Sequence, residues 1–163
     1  MASAQETMFA TIAFGVVSAS LPFYLYGAWV VLREEVVTWA VLMHHLRFIF
    51  VGLTLTTVPV VTWMIPRLLA NLDGFTVLHG IIGIQAYALL VFALTGIVHI
   101  FRAKRDHDLY EDPDQDIDLD ELHENMGAWR FRLRTGVFGF LLLWLLAWIV
   151  GAVRYVIYYT TLL

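Results

Sequence analysis

Residues 76–101, TVLHGIIGIQAYALLVFALTGIVHIF, run for 26 positions without Asp, Glu, Lys or Arg, and Arg102 closes the stretch. About 20 apolar residues in a helix cover the hydrocarbon core of a bilayer, so this run can cross one with some tilt. Polar and ionisable side chains at membrane depth are costly. His79, Gln85, Thr95 and His99 are therefore candidates for function.

Three further apolar runs accompany it, at residues 8–32, 39–65 and 136–160. Together they predict an all-α, polytopic membrane protein, with one transmembrane domain over residues 1–163 built as a four-helix transmembrane bundle. The 60% hydrophobic content and mean hydropathy of +0.74 fit that class. Residues 1–7 hold no Lys or Arg, and a cleavable signal peptide needs a positive start, so the first run reads as a retained helix. The chain has no cysteine, which excludes disulfides, iron–sulfur clusters and thiolate metal sites.

The net charge of −4 hides a sorting by region. Ten acids lie between Asp106 and Glu124, within the loop 103–129. Arg33, Arg47, Arg102, Lys104, Arg105, Arg130, Arg132 and Arg134 flank the first and third loops, and only Arg67 and Arg154 lie toward the opposite side. The positive-inside rule counts cations and discounts acids, so the acidic loop is expected in the cytoplasm and both termini outside a cell membrane. Asp114, Asp116, Asp118 and Asp120 alternate like calcium ligands, but the glycine and closing glutamate of an EF-hand loop are missing. A solvated surface adapted to high salt is the plainer reading.

Helical periodicity sorts the polar groups onto faces. In the second span His45 shares a face with Ile49, Gly52, Thr56 and Pro59, which points it into the bundle, while His44 points away. In the third span His79 and His99 are 20 residues apart and project from nearly opposite faces. Ile81, Gln85, Ala88, Phe92 and Thr95 go with His99, and this polar stripe is expected to line the interior. In the first span Thr11, Gly15, Ser18 and Pro22 form a face of small or kink-forming residues suited to close helix approach. Arg154 reads as snorkelling toward an interfacial belt of tyrosines.

His45 begins the second span and His99 ends the third, so both sit at the same depth on the loop side. Two such histidines on antiparallel neighbours can ligate a haem iron from both sides. Arg47, Arg102 and Lys104 are available for the propionates, and Gly52 and Gly96 would leave room beside the ring. The alternative is that both histidines are interfacial and carry no cofactor. His79 lies at the other depth, where it could meet Arg154, a quinone carbonyl or a symmetry mate.

Four spans with terminal histidines, and the run Val77-Leu78-His79-Gly80-Ile81-Ile82-Gly83, resemble the transmembrane b-type di-haem cytochromes over about residues 41–155. That resemblance implies haem b and an association with quinol oxidation or respiration. The family has two ligand pairs, whereas the outer pair is incomplete here. The acidic loop and apolar spans also resemble small multi-pass proteins of halophilic archaea, some of them encoded with cytochrome bc-type complexes.

Two functions follow as expectations. One is a b-haem electron carrier in a respiratory or quinol system. The other is a non-catalytic accessory subunit of a larger respiratory complex. Haem b and quinone are the candidate cofactors, and the expected partners are lipid, other membrane subunits or a second copy, with no nucleic acid. The chain shows no nucleophile–base pair or phosphate loop, so a carrier or subunit is favoured over a stand-alone enzyme.

The assignment of sides can be checked by labelling single cysteines with a membrane-impermeant thiol reagent in intact cells. A cysteine at Asp116 should stay protected and one at Asp73 should react. The opposite pattern would invert the topology.

Overall fold

The chain enters its first helix through a capping box. The Ser3 hydroxyl accepts from the Glu6 N–H, and the Glu6 carboxylate accepts in return from the Ser3 N–H at 2.9 Å. Helix α1 then runs over Ala4–Leu32. The computed structural model describes residues 3–34, 37–70, 73–110 and 122–160. The expected acidic loop falls largely outside the described residues, including the alternating aspartates at 114, 116, 118 and 120.

Thr38 caps the second helix, α2, which spans Trp39–Ala70. Its path is regular to Pro59, widens into a π-helical turn at Val60–Met64, and resumes at Ile65–Ala70. Pro59 and Pro66 bracket this turn, and each lacks the N–H that an α-helix would use. The turn closes with the Ile65 N–H bonded to the Val60 carbonyl, the i to i+5 pattern of a π-helix.

Asp73 starts the third helix, α3, Gly74–Asp106, by accepting from the Thr76 N–H at 2.8 Å and the Thr76 hydroxyl at 2.9 Å. Those two bonds, with a smaller contribution from the positive charge of Arg154, hold the Asp73 carboxyl below the usual carboxylate range. Asp108, at φ 55°, turns the chain away from the end of α3. The last helix, α4, covers Met126–Tyr159. It starts ten residues before the apolar run at 136–160, because the arginine-bearing segment continues the same helix.

All four helices are long and apolar enough to cross a membrane, and no strand occurs among the described residues. They form two antiparallel hairpins, α1 with α2 and α3 with α4, joined mainly by α1 against α4. The start of α1 and the ends of α2 and α4 share one end of the bundle, where Glu6 pairs with Arg67 at 2.6 Å and Thr11 bonds Tyr155 at 2.8 Å. This is the terminal end of the bundle, and the opposite one is the loop end.

The hairpins close where side chains are absent. A Cβ added at Gly136 would stand 2.7 Å from the Ala93 backbone and Cβ, and one at Gly96 would meet the Trp129 carbonyl. The buried face of α3 therefore carries Ala86, Ala93 and Gly96. This reverses the expectation for α3. Ile81, Gln85, Ala88, Thr95 and His99 are exposed, as is much of Phe92, while His79 is on the inward face. Small residues permit close backbone approach, and that packing outweighs the polarity of the other face.

The first span also departs from expectation. Its close contact is made by Gly27, beside Ile49 and Phe48, whereas Gly15 is open and Pro22 exposed; of the expected face, Thr11 and Ser18 reach α4 through Tyr155 and Trp148. Between the hairpins lies a core of Tyr24, Ala86, Phe140 and Trp144. The Tyr24 ring meets Trp144 edge-on at 5.6 Å. Its hydroxyl donates to Thr56, whose own proton faces Ser20 at 3.0 Å and the Gly52 carbonyl at 3.1 Å. This buried chain locks α1 to α2 without leaving a hydroxyl unpaired.

Gly136→Ala should destabilise the α3–α4 hairpin by about 1–3 kcal/mol, the usual cost of overpacking. Gly15→Ala should be neutral or slightly stabilising. Unfolding titrations in mixed micelles would compare them, and equal midpoints for both variants would refute the packing described.

Candidate functional site at the terminal end

The π turn of α2 determines which side chains meet at the terminal end. By widening the helix at Val60–Met64 it directs Trp63 and Met64 toward the junction with α1 and α4. Ala10, Ala13, Phe14 and Val17 supply the α1 wall, and Trp148, Gly151 and Arg154 the α4 wall. His79 enters from α3. The resulting cleft encloses about 70 Å³ and is partly open at its mouth, room for a compact polar group rather than for a whole ligand.

Small residues make the cleft possible. A Cβ at Gly151 would stand 3.0 Å from His79 Cε1, so the imidazole occupies the space that this glycine leaves. The aromatic wall is pinned. Phe14 stacks on Tyr155 at 4.9 Å and on Trp148 at 6.1 Å, and the Trp148 indole donates to Ser18 at 3.0 Å. Trp63 has the Arg67 guanidinium over its ring at 5.5 Å and Tyr159 6.4 Å away.

Arg154 is the unusual member. Its Nε is buried with no hydrogen-bond partner among the described residues, although its guanidinium lies 5.7 Å from the Tyr158 ring. A guanidinium carries five donors and no acceptor, so a buried Nε–H without an acceptor is costly. Asp73, the carboxylate whose charge Arg154 feels, is hydrogen-bonded to Thr76 instead. Arg154 therefore does not simply snorkel; part of its head is enclosed beside His79.

The pair expected at the loop end is arranged differently. His45 faces α1, as its periodicity implies, and its Nδ1 donates to the Gly27 carbonyl at 2.7 Å. In the neutral ring that bond selects the tautomer with the proton on Nδ1 and the lone pair on Nε2. His99 is exposed on α3 and stacks on Trp129 of α4 at 4.8 Å, with His123 4.4 Å from the same indole. The two histidines thus belong to different hairpins and face different neighbours.

The spaces expected beside a haem are filled. Tyr24 sits where a Gly52 side chain would be, and the α4 backbone does the same at Gly96. Arg47 and Arg102 are exposed at the loop end, and Lys104 is half-buried against Tyr110. Among the described residues no group of three or more His, Cys, Asp or Glu side chains converges as a metal site.

Of the residues singled out in the sequence, the structure brings together His79 and Arg154. Sequence reasoning missed Trp63, Met64, Phe14 and Trp148. Their one advance signal is that aromatic residues sit at matching depths near the ends of three spans. No curated protein and no solved structure matches the chain. A family model described as a domain of unknown function (DUF7321) matches residues 6–160, so the chain belongs to that family.

Proposed function

We propose that this protein is a multi-pass cell-membrane protein that acts as a non-catalytic accessory subunit of a larger respiratory or quinol-handling complex. The exposed stripe on α3 carries this reading. The Gln85 side chain makes no hydrogen bond among the described residues and stands on the outer surface of a helix that runs 26 residues without Asp, Glu, Lys or Arg. An amide left against lipid is costly, whereas between helices it becomes a hydrogen-bonding contact. Ala88 and Thr95 keep the same face low enough for another helix to approach. The occupant is a helix of a partner subunit that supplies the missing hydrogen bond. In this reading the acidic loop is cytoplasmic and both termini lie outside, as the distribution of eight of the ten basic residues favours.

A second reading is favoured by one observation. A metal-ligating histidine usually donates its other ring N–H to a carbonyl or carboxylate, and His45 makes that bond to Gly27. In that reading His45 and His99 would hold a b haem, with Arg47, Arg102 and Lys104 toward its propionates. His99 would have to leave Trp129, and the ring could not use the filled spaces at Gly52 and Gly96.

Purification from native membranes in mild detergent separates the readings. An accessory subunit should emerge colourless in a stoichiometric complex, and Gln85→Leu should release the partner while the chain itself stays folded. Recovery of the chain alone, or only as a dimer of itself, would contradict a partner subunit. A Soret band lost in His45→Ala and in His99→Ala would establish the haem instead.

A further inference from the structure

We infer that the cleft at the terminal end binds the oxyanionic head of a membrane amphiphile, held by Arg154 and His79. The site is independent of the α3 stripe, since it opens between α1, α2 and α4 with only His79 coming from α3.

Three observations lead to this ligand class. The cleft wall is mostly apolar, with the polar groups gathered near one end of the helices, which matches a molecule with a greasy body and one compact polar group. The buried donor at the polar end is the Arg154 Nε–H, and it has no acceptor among the described residues. A guanidinium prefers a carboxylate or phosphate, which accepts several N–H donors at once. A neutral carbonyl would satisfy one donor, whereas an oxyanion also adds to the partial compensation that Asp73 gives the charge.

The chain's own acids do not fill the role. Glu6 is paired with Arg67, and Asp73 spends both oxygens on Thr76. The His79 ring also makes no hydrogen bond among the described residues, so it can donate to the same head. The enclosed space, about 70 Å³, takes the charged group and little of the chain behind it. The rest of the tail would leave through the open mouth.

A carboxylate amphiphile and a phospholipid share this chemistry, and titration distinguishes them. Full-length protein in a neutral detergent would be titrated with oleate, with phosphatidylglycerol, and with methyl oleate and decylubiquinone as neutral probes. Trp63 and Trp148 line the cleft, so tryptophan fluorescence reports occupancy. Oleate or phosphatidylglycerol should bind saturably, and the tighter of the two identifies the source. Arg154→Gln should weaken that binding by about tenfold or more, the effect expected for losing a charge-assisted hydrogen bond. His79→Ala should weaken it less, and Arg105→Gln at the loop end should leave it unchanged.

Unchanged binding in folded Arg154→Gln, or equal binding of a neutral probe, would overturn the assignment. If Arg154→Gln does not fold, native mass spectrometry of the wild type decides. One acidic amphiphile retained per chain supports the site, and a chain that carries none and takes up none from added oleate or phosphatidylglycerol refutes it.

Discussion

Close contact between α3 and α4 is the constraint on which the rest of the arrangement depends. Gly136 lets the Ala93 and Leu89 backbone approach, and Gly96 does the same for Trp129 and Leu133 on the other side of the seam. Between apolar helices in an apolar solvent there is little hydrophobic drive, so the faces that fit most closely prevail. Once α3 turns Ala86, Ala93 and Gly96 inward, Gln85 and His99 must turn outward and His79 must point into the bundle. Both the outer stripe and the terminal cleft follow from that one rotation.

The cleft depends on a second departure from regular helix. Two prolines seven residues apart leave α2 short of donors near its end, and the helix relieves this by widening into a π turn. The extra width carries Trp63 and Met64 into the junction with α1 and α4. Such turns recur at functional sites because they re-aim side chains without breaking the helix. Here the re-aimed indole sits over the region where Arg154 and His79 converge.

Much of the fold was legible in the sequence. Four runs of bilayer length mark four helices, because nothing else buries that many consecutive apolar residues in a chain of this size. The ends were less legible. α4 begins at Met126 because Arg130, Arg132 and Arg134 are good helix formers that prolong the apolar run. The facing of α3 was misread because polarity was given more weight than residue size. The spacing of Ala86, Ala93 and Gly96 held the better signal. His79 and Arg154 could be named in advance as a possible pair. Their surroundings could not, since a π turn depends on how two prolines and their neighbours share hydrogen bonds.

The central claim is that the Gln85 face of α3 lies outside the chain's own bundle and is covered by another protein in the membrane. The natural absence of cysteine allows single nitroxide labels at positions 81, 85, 88 and 92, with 90 and 97 on the opposite face. In the isolated chain the first set should be mobile and accessible to oxygen and the second immobile. In native membranes the first set should lose that mobility. Labels at 85 and 88 already immobile in the isolated chain, or still oxygen-accessible in native membranes, would contradict the account.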